Sequence, residues 1–273
     1  MKNKRFSATR AAGIQHIKRI KRVSLGLLAA SISLLANAAE QDDAPITPYR
    51  PSVSNSAQLP FPGQLEAEFG VLSGKSGDAR RDSLPSLLKL AFSEQWGILL
   101  GGDLRVMNDD GAGTRVRGMG DVNLVLKQAF LIDSETAFGL ELGVKLPTAK
   151  QAIGTEKRDY TLNGIYSKDL GDWHLDLNAN VTKMGWVDDG VSRWQTGLSS
   201  AFSYSLSEAL GVTAEWSGTK SKGSLPQNQV LLALTYSPNK RLTFDIGLSK
   251  GISATATDRA FFAGVVVPVG RLF

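Results

Sequence analysis

The chain has 273 residues, no cysteine and a formal charge of +5. Without cysteine it can build neither a disulfide framework nor a thiolate metal site. The charge does not indicate a nucleic-acid partner: residues 1–38 hold eight bases and no acid, leaving 23 bases against 26 acids over residues 39–273.

Residues 1–38 have the layout of a cleaved signal peptide. A basic stretch ends at Arg22, an apolar stretch runs from Val23 to Leu35, and Ala36-Asn37-Ala38 supplies small residues for cleavage. The apolar stretch is too short to cross a bilayer as a helix. Residues 39–60 follow as an extended, poorly structured arm on the periplasmic side, rich in Pro, Ser and Asp.

From residue 61 to 273 the pattern changes to strict alternation in blocks of roughly ten residues, the period of a strand with two unlike faces. Leu140, Leu142, Val144 and Leu146 alternate with Gly139, Glu141, Gly143 and Lys145; Leu242, Phe244, Ile246 and Leu248 alternate with Thr243, Asp245, Gly247 and Ser249. Twelve such blocks are predicted, near 64–72, 86–93, 97–107, 121–131, 137–146, 159–167, 173–182, 193–205, 209–217, 228–237, 241–249 and 260–273. Short turns, such as Glu94-Gln95 and Pro238-Asn239-Lys240, take turns with longer Gly-rich and charged connections at 73–84, 108–119, 148–158, 183–192, 218–227 and 250–258. Five short and six long connections put both chain ends on the short-turn side, as in outer-membrane barrels with periplasmic turns and external loops.

A soluble sandwich also has alternating strands. Charge separates the two architectures. The apolar face of every block lacks Lys, Arg, Asp and Glu in mid-strand; Lys168, Lys183, Lys250 and Arg271 share its parity only at strand ends. Arg or Lys on a lipid face costs roughly 2–4 kcal/mol at mid-bilayer and about 0–1 near the interface, so lipid would impose this distribution. Aromatics gather toward block ends (Phe92, Trp96, Phe138, Trp173, Tyr204, Trp216, Tyr236), as interfacial girdles do. The fold class is therefore all-β: a transmembrane antiparallel up-and-down β-barrel of about 12 strands in the outer membrane. In the last block, Phe262, Val266 and Pro268 take inward parity, and a bulge or Pro268 itself is expected to shift the register. The terminal Phe273, after alternating Val269, Val267, Val265, Ala263 and Phe261, resembles the C-terminal strand signature of outer-membrane barrels, which implies the barrel-assembly machinery as a partner. Arg271 departs from that signature.

Gly118-Met119-Gly120-Asp121-Val122, Gly143-Val144-Lys145-Leu146-Pro147-Thr148, Asp159-Tyr160 and Ser167-Lys168-Asp169-Leu170-Gly171-Asp172-Trp173 resemble the family called "Putative MetA-pathway of phenol degradation". The resemblance is clearest over 115–185 and extends from 62 to the end. It implies a transporter-like outer-membrane barrel with a link to aromatic catabolism, and it carries no catalytic residues. Many members have a Gly-rich loop where this chain has Thr155-Glu156-Lys157-Arg158.

Little in the sequence suggests chemistry. His174, the one histidine after residue 38, is expected as a polar lumen residue at the periplasmic end rather than half of a Ser–His hydrolase pair. One histidine with scattered carboxylates suggests neither a metal site nor a cofactor. Gly70, Gly139, Gly143, Gly197 and Gly247 have inward parity and are expected to relieve crowding or let strands bend. The lumen-lining candidates are the inward charges Glu66, Glu68, Lys89, Asp103, Arg105, Lys127, Glu141, Lys145, Asp176, Arg193, Glu215 and Asp245. They either pair across strands to hold a packed lumen or line a narrow path with weak cation preference. Twelve strands enclose more than side chains fill in eight-strand barrels and much less than porins, so the lumen is either a narrow pore or closed by the 39–60 arm. Function is expected to be passive passage or uptake of small solutes, aromatic or hydrophobic ones among them. The alternative is a non-transporting structural or adhesive barrel acting through its external loops, and an outer-membrane hydrolase comes last. Outer-membrane lipid is the partner implied by the apolar face.

Overall fold

A computed structural model describes residues 44–273; the leader 1–38 and the first residues of the arm, 39–43, lie outside the described residues. Thirteen strand segments make one antiparallel sheet: β1 (Gln64–Ser76), β2 (Ala79–Ala91), β3 (Trp96–Asp109), β4 (Arg115–Gly118), β5 (Val122–Leu131), β6 (Thr136–Leu146), β7 (Asp159–Leu170), β8 (Trp173–Lys183), β9 (Trp194–Ser205), β10 (Leu210–Ser221), β11 (Gln227–Asn239), β12 (Leu242–Gly251) and β13 (Arg259–Arg271). Apart from β4 and β5, which both pair with β3, consecutive strands pair with each other, and β1 pairs with β13, so the sheet closes on itself. β4 and β5 lie end to end along β3, opposite Val106–Asp109 and Trp96–Gly102 respectively. They form one interrupted stave, and the barrel has twelve staves, as the alternation predicts.

The interruption has a local cause. Ser83 faces Val106 while Pro85 faces Asp103, so β3 carries one residue more than β2 between these pairs. Pro85 has no N–H to give to the ladder, and a bulge is where a proline is tolerated inside a sheet. The Gly120 N–H then reaches back to the Asp103 carbonyl at 2.8 Å. A second bulge sits at Val269, because Leu65 faces Gly270 while Glu66 faces Pro268. The expected register shift is thereby located. It leaves Phe262 and Val266 buried in the interior and makes Arg271 the partner of the inward Gln64, so Arg271 no longer shares the parity of the lipid face.

The turns near the chain ends fall where predicted. At the opposite end, the predicted long connection 73–84 is instead a tight hairpin: β1 and β2 continue to Ser76 and Ala79, and only Gly77-Asp78 lie between them. Gly77 has φ +58°, a conformation that suits glycine at such a tip. The extension carries polar residues on both faces, so alternation could not reveal it.

The outer surface is apolar around the whole circumference. Phe69, Leu100, Leu126, Leu142, Leu162, Leu198, Phe202, Leu232, Ile246 and Phe261 are all exposed. A continuous apolar belt of this kind requires lipid rather than water against it. At the chain-end rim, Phe138 packs on Tyr166 (ring centroids 5.1 Å) and Trp173 on Tyr204 (4.7 Å), giving part of one girdle.

Candidate functional site: a plugged lumen

The inward face of the strands is charged, and a charge removed from water needs a partner. The strands supply some partners themselves. Lys89 faces Glu66 across β1–β2, and Lys127 faces Glu141 across β5–β6. The Lys89 ammonium lies 3.1 Å from Glu66 and 2.6 Å from Glu68, and Lys127 lies 3.2 Å from Glu141. All five side chains are nearly or fully buried.

The remaining partners come from residues 44–60. This segment passes Lys240, whose carbonyl accepts from Ile46 N–H (2.9 Å), runs past Glu66 and Glu68, crosses to Glu215 and Asn178, and returns beside Lys127 and Ser167 to the start of β1. Its backbone N–H groups donate to barrel carboxylates: Tyr49 to Glu68 (2.8 Å), Val53 and Ser54 to Glu215 (2.7 and 2.8 Å). Its carbonyls accept from barrel lysines, Thr47 from Lys89 and Ser56 from Lys127. An irregular backbone can be buried only if its polar groups are satisfied, and the inward charges satisfy these. Residues 44–60 leave no periodic pattern in the sequence because they pair with wall side chains rather than with a ladder.

Side chains anchor the same path. The Arg50 guanidinium grips Asp245 with two bonds, 2.8 and 2.9 Å, the bidentate geometry that arginine favours. It occupies a slot made by glycines: Gly70 and Gly264 are cross-strand partners, and a Cβ on either would come within 2.7 or 2.2 Å of the guanidinium. A Cβ on Gly139 would similarly meet Ala57, and one on Gly97 would meet Leu59. Inward glycines thus make room for the segment itself. The Tyr49 ring lies between Lys89 and Lys127, each ammonium 4.3 Å from its centroid, a double cation–π contact. The Tyr49 hydroxyl donates to the Gln58 carbonyl at 2.6 Å and ties the outgoing limb to the returning one.

Of the twelve predicted lumen residues, Glu66, Glu68, Lys89, Lys127, Glu141, Glu215 and Asp245 meet the segment directly. Asp176 accepts from Ser167, whose hydroxyl oxygen accepts from Ala57 N–H (2.8 Å). Lys145 stands nearer the long-loop end with Asp159 (2.7 Å) and Asp121 (3.6 Å), and Asp103 pairs with Arg81 at 3.0 Å. Two members of the predicted set fall elsewhere. Arg105 is exposed at the β3 bulge, where the extra residue ends its inward parity, and Arg193 is exposed just before β9 begins. His174 lies between Asp169 (2.6 Å) and Asp176 (3.1 Å). Ser167 gives its proton to Asp176 rather than to the imidazole, so the cluster contains no serine–histidine pair.

Between the segment and the long-loop end the lumen is open. One chamber of about 640 Å³ has Arg50, Pro51 and Val53 as its floor and Leu72, Pro85, Val116, Leu231 and Phe262 in its wall. Beside it, about 400 Å³ is lined by Asn55, Asn163, Asn178, Asn180, Asn228 and neighbouring hydroxyls. Sequence alternation placed Phe262 inward but missed the rest of the apolar wall, since Leu72 and Leu231 occupy positions where polar residues were expected. It also gave no sign of Asn178 as a partner for the Asn55 backbone.

These features define a twelve-stave outer-membrane β-barrel whose N-terminal segment lies within its lumen. Residues 49–268 match the model of the family "Putative MetA-pathway of phenol degradation", and the chain belongs to that family. Among solved structures it is similar to the COG4313 outer membrane channel from Pseudomonas putida F1 (13% identity, 78% of this chain and 97% of that one, TM-score 0.62). It is also similar to the NanC porin (10% identity, 74% and 98%, TM-score 0.52). At these identities the likeness concerns the fold. No curated protein matches the chain.

Proposed function

We propose that the exported chain, freed of its 1–38 leader, is a passive outer-membrane channel for small solutes and is closed by the 44–60 segment in the conformation described here. The observation that carries this reading is the division of the lumen: open chambers toward the long loops, and below them a floor held mainly by hydrogen bonds and ion pairs to wall side chains, with a small apolar contact of Ala57 on Ala137 and Ile165. Groups freed when the segment leaves can exchange these hydrogen bonds for bonds to water, so opening costs less than leaving the same groups buried and unpaired. The apolar wall with Phe262 and Leu231 favours solutes with an aromatic or hydrophobic part, and the adjoining amide-rich chamber accommodates their polar groups. The COG4313 protein is named a channel and NanC a porin, which agrees with this reading.

The test uses the absence of native cysteine. Ser54 and Ser199 have their hydroxyl oxygens 2.8 Å apart, so the pair Ser54→Cys and Ser199→Cys can tether the segment to β9. Proteoliposomes carrying this variant are expected to take up a small aromatic solute after reduction and to exclude it after oxidation. Equal uptake in both states would contradict closure by the segment. No uptake in either state, or by the unsubstituted protein, would overturn the channel reading.

A further inference from the structure

The lipid-facing surface carries a second feature, at the end away from the chain termini. Lys250, Arg259 and Lys75 are direct cross-strand partners on β12, β13 and β1, and Arg80 on β2 continues the row. All four are exposed. Arg80 is neutralised by Asp82 at 2.9 Å. Lys75, Lys250 and Arg259 make no ion pair with any described residue. Like charges directly opposite each other destabilise a sheet, so an anion from outside the chain that bridges the three cations on these adjacent strands would relieve their repulsion.

The surroundings indicate its kind. Lys75, Arg80 and Arg259 share a groove of about 190 Å³ with Ser73, Leu248 and Phe261. Leu248 and Phe261 are exposed members of the apolar belt, so the groove has a cationic upper part and an acyl-facing lower part. With the long loops outward, the cations stand at the level of the external leaflet's headgroups. We propose that this groove binds a phosphorylated glycolipid of that leaflet, its phosphates held by Lys75, Lys250 and Arg259 and an acyl chain lying over Phe261 and Leu248. The site rests on the membrane orientation of the barrel and is independent of transport through it.

Native mass spectrometry of the intact protein in micelles tests the assignment, with bis-phosphorylated lipid A as the probe and dephosphorylated lipid A as the comparison. Each cation near an anionic lipid surface contributes roughly a fivefold factor. The combined variant Lys75→Gln, Lys250→Gln, Arg259→Gln is therefore expected to bind the phosphorylated probe at least tenfold more weakly, while the unsubstituted protein discriminates against the dephosphorylated form by a similar factor. Thermal unfolding of the variant should be no earlier than that of the parent, because the substitutions remove repulsion. Equal retention by parent and variant, equal retention of both lipid A forms, or displacement of the lipid by inorganic phosphate at equal concentration would each overturn the proposal.

Discussion

At the residue scale the lumen depends on charges that each satisfy more than one partner. Lys89 is fully buried and serves Glu66, Glu68, the Thr47 carbonyl and the face of Tyr49. Lys89→Met preserves much of the volume but leaves two carboxylates together without a cation. Breaking one side of a buried ion pair costs about 3–5 kcal/mol, and a loss of that size is expected in urea-induced unfolding of the refolded barrel; a change below about 1 kcal/mol would place water, not lysine, as the partner of these carboxylates. Arg50 offers a paired experiment. Arg50→Ala removes the grip on Asp245, and Gly264→Val should expel the same guanidinium by filling its slot. The two variants are expected to show matching increases in channel current. A silent Gly264→Val would mean that the slot does not hold Arg50.

At the element scale the strands were legible wherever one face met lipid and the other did not. Leu140, Leu142 and Val144 against Glu141 and Gly143 place β6 to within a residue at its start and at its end. Legibility failed where that contrast disappears. The β1–β2 extension is polar on both faces, and the β3 bulge transfers Arg105 from the inward row without a signal stronger than Pro85. The lumen charges were found because parity reports direction. Closure by the 39–60 arm was one of two expectations for the lumen, but its pairing with these charges was not legible, since backbone N–H groups of a Pro- and Ser-rich segment leave no periodic trace. The twelve inward charges read as a possible cation path are largely committed to that segment or to one another, so their sign does not set selectivity in the closed conformation. On the outer face, Leu142→Arg, near the middle of β6, is expected to cost roughly 2–4 kcal/mol in a bilayer. Unfolding measured in lipid vesicles checks this, and a negligible cost would contradict the membrane depth assigned to β6.

At the scale of the whole molecule, the closed sheet solves the problem of backbone polarity in lipid, and the same closure creates an interior too wide for strand side chains alone to fill. Eight-stave barrels can be filled in that way, and porins leave an aqueous channel. Twelve staves lie between, and here the chain fills the chain-end half of the lumen with its own N-terminal segment while the loop-side half is left as chambers. Charge sorting follows the same division. Neutral apolar side chains face lipid, paired charges hold the segment, and unpaired cations collect at the outer rim.

Residues 44–60 thus close an otherwise open barrel. Single-channel recording in planar bilayers tests this closure most directly, comparing the chain from residue 39 onward with the same chain lacking residues 44–60. Small or infrequent current steps are expected for the first and steps several-fold larger for the second. Equal conductance in the two proteins, with both shown to be folded by their resistance to unfolding in detergent, would contradict it.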